Sequence, residues 1–423
     1  AIRMTTVDAP DLLAPGQNFG ARVSASAQSN KGAGASLAGY GRFGERFDGL
    51  LMLNGVNQKD YKDGDGKKVE HSAVDQRSYL LKLGWNLAPD HRLSISQRHE
   101  GQSGNRTLRL NVAGLAGCPL YDGDLKYDTT NLEYKGRNLG FAQKADANIY
   151  HTKMDDSKRA LGPLGGCRAT SPYNHSNVKS TGANAGFVTA WQDHRIKYGV
   201  NVRREEVNNL VSHTGEKKTD WGLYGEGIWA FEPFTITTGL RYDHFKQETG
   251  ERNSGRKLQR TDNDISPRLG AVYQPDAAQS YYLSWSRSFQ PSGEAFALSS
   301  GNANLDPEQT TNTEIGAKYD LLDGRLSTTF SLFRLNRTNV RDTDPATNQL
   351  ATIGTRRTDG FEWSLSGELA PGWRAIMGYA FLDAKVTRSP SRNDGQPVQG
   401  KRSTLTPRHA ANFWITKDLD GGF

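Results

Sequence analysis

Two cysteines, nine histidines and a surplus of basic residues are the groups with which this chain could do chemistry. Cys118 and Cys167 are too few for a cysteine-rich zinc site, and nothing nearby gives a Cys-x-x-Cys spacing. The histidines are scattered, none three or four residues from another, so no metal centre is indicated. No nucleophile–base pair and no paired carboxylates stand out, which disfavours an enzyme. The Gly-rich run 32–41 does not open a helix, so it is no phosphate loop. Two sequons, Asn105-Arg106-Thr107 and Asn336-Arg337-Thr338, match a pattern common by chance. Polar stretches hold Arg106, Arg109 and Tyr121, then Arg168, Tyr173 and His175. Others hold Arg252, Arg256, Lys257 and Arg260, and Phe289 and Gln290 lie at the mouth of another. Guanidinium and ammonium groups make charge-assisted hydrogen bonds, and aromatic rings offer faces for stacking. The formal net charge of +7 also points to an anionic partner. For any one of these residues a solvated loop position competes with a binding role. The basic residues are spread over loops rather than set in one stripe, so nucleic acid is not indicated.

The elements that carry these stretches read as strands. Tight-turn signals recur at Gly44-Glu45-Arg46, Ala88-Pro89-Asp90, Arg137-Asn138-Leu139-Gly140, Gln192-Asp193-His194 and Phe231-Glu232-Pro233. They continue at Pro275-Asp276-Ala277, Leu322-Asp323-Gly324, Ala370-Pro371-Gly372 and Asp420-Gly421-Gly422. Between them lie long polar segments: Tyr61 to Asp75, Gly101 to Lys126, Asp155 to Asn177, Gly250 to Asn263, Gln290 to Glu308, Asp342 to Gly354 and Arg388 to Thr406. The spacing of roughly 40–55 residues suits two strands and one long loop. A membrane barrel sorts short turns to one side and long loops to the other, whereas a soluble sandwich has no reason to. A β-propeller would show blade motifs, and none is seen.

Period-two alternation supports the barrel. Tyr79, Leu81, Leu83 and Trp85 alternate with Lys82, Gly84 and Asn86, and Phe361, Trp363 and Leu365 alternate with Glu362, Ser364 and Ser366. The polar set includes charges that a packed soluble core would not accept unpaired. Trp85, Trp191, Trp229 and Trp373 each sit near a short turn, where a periplasmic aromatic girdle would lie. No run approaches the ~18 apolar residues of a membrane helix. With 46 Gly, 16 Tyr, 16 Phe and 8 Trp, the composition suits short turns and girdles and argues against disorder. The expected fold is all-β, a transmembrane antiparallel β-barrel of about eighteen strands in this segment.

An ordered set of motifs then resembles the TonB-dependent siderophore receptor family. It comprises Tyr282 to Pro291, Asn304-Leu305-Asp306-Pro307-Glu308, Thr313 to Lys318, Leu321 to Leu326 and Phe333-Arg334. Arg357 to Trp363, Gly378-Tyr379 and Thr406-Pro407-Arg408-His409 complete it, and Phe47 to Gly64 adds a weaker match. The resemblance implies a barrel of about twenty-two strands, so about four are expected beyond this segment. It also implies a TonB box and a plug domain ahead of it. Residues 1–10, from Ala1-Ile2-Arg3-Met4, look like the end of the last plug strand and a linker, and 11–423 like the barrel. Phe423 follows a turn rather than an alternating strand, and reads as a truncation point.

By that resemblance the chain is an outer-membrane receptor, without a cofactor of its own, that binds and imports a ferric siderophore. The loop cations lean toward a catecholate type, and the lack of a loop histidine pair leans away from haem. The implied partners are the inner-membrane TonB–ExbB–ExbD complex, lipopolysaccharide and no second copy. Cys118 and Cys167 fall in successive long loops on the oxidising side, so a disulfide is expected, contributing ~2–4 kcal/mol. A passive porin of about eighteen strands is the alternative. A structural or adhesive barrel is a third reading.

Overall fold

The computed structural model describes residues 5–29, 31–106, 120–162, 173–209, 213–251, 255–291, 298, 301, 303–344, 349–393 and 395–419. A short 3-10 turn, Ala9–Leu12, precedes β1 (Phe19–Gln28), β2 (Gly32–Phe43), β3 (Phe47–Gln58), β4 (Val74–Ala88), β5 (His91–Arg106), β6 (Tyr121–Arg137) and β7 (Lys144–Ala160). Next come β8 (Tyr173–Trp191), β9 (His194–Asn209), β10 (His213–Phe231), β11 (Phe234–Glu251), β12 (Lys257–Asp276), β13 (Gln279–Gln290) and β14 (Glu308–Leu321). The last are β15 (Leu326–Asp344), β16 (Gln349–Ala370), β17 (Trp373–Arg388), the small hairpin β18 (Arg392–Asn393) and β19 (Gln396–Pro397), and β20 (His409–Lys417). Apart from that hairpin the strands form one 18-stranded sheet, matching the strand number expected from the turn signals.

The chain divides into two compact units. The first is Ala1–Phe187 with Val200–Trp221 and Gln247–Lys257, and within it β1 to β7 pair in succession, each antiparallel to the next. The second is Val188–Gly199, Gly222–Lys246 and Leu258–Phe423, and there β12 to β17 and then β20 pair in the same way. Short connections fall where turn residues stand. Residues 371–372 join β16 to β17 with Gly372 at φ +73°, and Leu322, Asp323 and Gly324 all take positive φ between β14 and β15.

At the other ends the structure differs from the loop expectation. Much of Gly101 to Lys126, Gly250 to Asn263 and Asp342 to Gly354 is strand: β5 runs to Arg106, β12 begins at Lys257, and β15 reaches Asp344 before β16 starts at Gln349. Polarity marks hairpins that project into water. Their backbone groups are paired within the hairpin, so they need no apolar face to stay extended.

The two faces of the sheet invert the soluble pattern. In the first unit Tyr79, Leu81, Leu83, Trp85, Phe47, Leu51, Leu53 and Ile95 are exposed, while Lys82, Asp48 and Glu133 on the other face are at most 6 % exposed. In the second unit, Ala271, Leu283, Ile315, Leu332, Phe361 and Phe381 follow one another in register across β12 to β17. Leu283, Ile315 and Leu332 there are each more than half exposed. Apolar area of this extent cannot face water at ~25 cal/mol per Å², so that face requires an apolar solvent.

Candidate ligand-binding site

The expected binding residues are distributed unevenly. Arg109, Cys118, Cys167, Arg168 and Arg252 lie outside the described residues. Arg106 closes β5 opposite Tyr121 in register. Tyr121 is fully buried, and its hydroxyl has no hydrogen-bond partner among the described residues. Tyr173 is exposed and its ring lies 6.2 Å from that of His175. His175 bonds through Nε2 to the Asp155 carboxylate, which also takes Asn177 Nδ2 at 3.0 Å and Lys153 Nζ at 2.9 Å. Arg256 is exposed just ahead of β12. Arg260 chelates Asp262, with Nη2 at 2.7 Å, and donates to the Ala303 carbonyl at 2.8 Å. Phe289, half-buried, and Gln290, exposed, end β13 opposite Gln309 and Glu308. The structure thus places Tyr173 beside His175 and His175 on Asp155, and engages Arg260 internally.

Arg260 exemplifies a rule that loop-based reading misses. On a strand, residues two apart share a face, so a base two residues from an acid closes on it. Arg98–Glu100, Lys126–Asp124, Lys158–Asp156, Arg241–Asp243 and Lys385–Asp383 do so at 2.6–2.7 Å. The polar face also carries a ladder of amides. Asn148 donates to Asn131 at 2.8 Å, Asn184 to Asn148 at 3.0 Å, and Asn201 to Asn184 at 2.7 Å. These side chains bind one strand to the next rather than holding a ligand.

Residues 5–12 are held against the polar face by a buried charge cluster. Lys82 Nζ lies 2.6 Å from Asp8 Oδ1 and donates to the Thr6 carbonyl and hydroxyl at 3.1 and 3.2 Å. Arg92 grips Asp48 with two bonds of 2.6 and 2.9 Å and reaches Asp8 at 3.5 Å. Burial alone would push the Asp8 carboxyl up. The ion pair with Lys82, helped by Arg92 and Lys135, outweighs it and holds the carboxyl below its ordinary 3.8. Gly84 makes the cluster possible, since a Cβ there would stand 2.1 Å from Arg92 Nη2. The cluster borders a cavity of about 620 Å³ lined by Asp8, Asp48 and Arg92 among others.

Residues 17–423 match the model of the TonB dependent receptor-like, beta-barrel family. The chain belongs to that family. This TonB-dependent receptor barrel is 35% identical over 216 residues to the "Probable TonB-dependent receptor BfrD" of Bordetella pertussis, covering 47% of this chain and 28% of that protein. It is 30% identical over 269 residues to the "Probable TonB-dependent siderophore receptor PiuA" of Acinetobacter baumannii, covering 58% and 36%. Among solved structures it resembles the FrpB iron transporter of Neisseria meningitidis, with a TM-score of 0.76 at 26% identity over 90% of this chain and 64% of that one. The matched stretches thus cover only 28% and 36% of the length of these two curated relatives. Its place is the bacterial outer membrane, where the apolar face meets lipid and the polar face lines the lumen.

The receptor's four singled-out tryptophans stand beside short turns. Trp85 stacks on Phe47 at 5.8 Å, and Trp191 meets Trp229 edge-on at 6.4 Å. Lys417 Nζ sits 5.3 Å over the Trp373 ring. A further row, Phe234, Tyr273, Tyr281, Tyr319 and Phe330, runs ring to ring at 5.0–6.5 Å. Tracking tryptophan alone misses that row, although each of its members lies close to a short turn, the signal that located the tryptophans.

Proposed function

We propose that this chain is the barrel of an outer-membrane receptor that binds a ferric siderophore at the cell surface and imports it. The energy comes from the inner-membrane TonB–ExbB–ExbD complex. The receptor works as a monomer among lipopolysaccharide, with no cofactor of its own, and the iron chelate is cargo. The observation that carries this reading is the family match across residues 17–423, with relatives named as a siderophore receptor and an iron transporter. The net charge of +7 favours an anionic, catecholate-type chelate. Trp85, Trp191, Trp229 and Trp373 anchor the periplasmic interface, and Cys118 and Cys167 form a loop disulfide.

The test is uptake of radiolabelled iron by cells that depend on this gene. Ferric catecholate should enter faster than ferric hydroxamate, and only where TonB is intact. Uptake independent of TonB, together with steady conductance in planar bilayers, would replace the transporter by the porin.

A further inference from the structure

Four cations escape the pairing that occupies many others. Arg356, Arg388, Lys401 and Arg402 have no acid two residues away in the sequence. None of them forms an ion pair among the described residues. All four line one cavity of about 520 Å³, at the ends of β15 to β17 opposite the short turns. The segment after β19 closes it by pairing back onto β17: Val386 N donates to the Lys401 carbonyl at 2.9 Å, and Ser403 N to that of Ala384 at 2.9 Å.

Two further features narrow the ligand. The one carboxylate among the lining residues, Asp342, accepts from the Ser389 and Ser391 hydroxyls and offsets part of the Arg356 charge, so four bases against one acid leave the lining with a positive surplus. The lining also holds Val340, which is 6 % exposed, with Val386, Pro397 and Val398. Cations around an apolar floor suit an anion that also has an apolar body, and the volume falls within the ~300–1,000 Å³ of small-molecule sites. Inorganic phosphate would use the cations but not the valines.

We propose that this cavity binds an aryl acid anion, its acidic oxygens on Arg356, Arg388, Lys401 and Arg402 and its ring on the valine floor. The proposal rests on the receptor reading only in naming which arm of an anionic chelate the cavity would take. Its test needs neither iron nor transport. Titration calorimetry on the detergent-solubilised protein with 2,3-dihydroxybenzoate should show saturable binding. Arg356→Gln with Arg388→Gln should weaken it by about tenfold or more, the scale of one lost charge-assisted bond. Lys401→Gln with Arg402→Gln, which alters the covering segment rather than the sheet, should do the same. Val386→Asn should weaken the aryl acid, and Arg77→Gln, outside the cavity lining, should leave it alone. Heat-dependent mobility on gels reports that each variant is folded. Unchanged affinity in both double variants, or equal competition by inorganic phosphate, overturns the proposal. No aryl-acid binding by the native protein, with iron uptake intact, would sink this site alone, whereas binding by the native protein without any iron uptake would sink the receptor reading and spare the site.

Discussion

Replacing Asp8 by Asn should release the segment 5–12 from the lumen wall. The substitution keeps the shape but removes the charge that faces Lys82 at 2.6 Å and Arg92 at 3.5 Å. Breaking a buried ion pair costs ~3–5 kcal/mol when the survivor stays buried. Here the segment can lift away and water can reach Lys82, so the loss is capped near the net worth of a hydrogen bond between charged groups, ~1.5–3 kcal/mol. That corresponds to roughly 10- to 150-fold faster opening of the segment. Amide hydrogen exchange followed by mass spectrometry over residues 5–13 reads it directly, including Asp11 N, which bonds the Asp8 carbonyl at 3.1 Å. Lys82→Met should have a similar effect, and the double variant should cost less than the sum. Because the folded Asp8 carboxyl lies below 3.8, the docking is at full strength above about pH 4. It is lost as pH falls through the depressed value, and protection, taken relative to the intrinsic exchange rate at each pH, should fall there in the native protein but not in Asp8→Asn. Identical exchange in native protein and Asp8→Asn would refute the reasoning.

Other perturbations follow from the same geometry. Lys68 beside Asp60, with the Ser72 and Ala73 amides at 2.9 Å, holds that carboxyl below 3.8, so Asp60→Ala should speed tryptic cleavage at Lys67 and Lys68; an unchanged rate would show that the carboxylate does not order the loop. Asn184→Leu removes two rungs of the amide ladder and should lower stability by ~1–3 kcal/mol in urea titration, with no change in midpoint telling against the ladder. At Gly367, φ is +134° and a Cβ would stand 2.1 Å from the Arg325 carbonyl, whereas the nearest atom to one at Gly372 is the Lys417 amine at 3.3 Å. Gly367→Ala should therefore cut the yield of heat-modifiable barrel far more than Gly372→Ala, and equal yields would contradict the backbone clash.

The fold was legible because barrels repeat two simple signals. Glu314, Gly316 and Lys318 alternate with Ile315, Ala317 and Tyr319, and that phase places Ile315 in register with Leu283 and Leu332 on the lipid face. Turn residues such as Pro371-Gly372 mark one end of the hairpins with little ambiguity. The other end was less legible. Asp342 to Gly354 reads as loop because polarity tracks contact with water, while backbone pairing continues regardless of it, as Thr343 opposite Leu350 shows. The Asp8–Lys82 contact joins residues far apart in sequence, and no local pattern announces it.

The candidate site was less legible for a reason that charge counting exposes. Net charge treats every arginine alike, yet a strand makes Arg260 a neighbour of Asp262 and spends its charge within the wall. A cation is available to an outside anion only when its own face offers no acid. Asking that of each base is a sequence operation: discard those with Asp or Glu two residues away within a strand, and see what remains together. Arg356 and Arg388 survive, since Gly354 and Thr358 flank the first, and Val386 and Pro390 the second. Lys401 and Arg402 lie between β19 and β20, outside any strand where that spacing applies, and they count as unspent because neither forms an ion pair among the described residues. Sequence can thus nominate unspent cations, but it takes the fold to show that these four share one cavity. A surplus of +7 spread over a barrel wall would bind nothing in particular, whereas a few unpaired cations around an apolar floor can discriminate among anions by the body they carry.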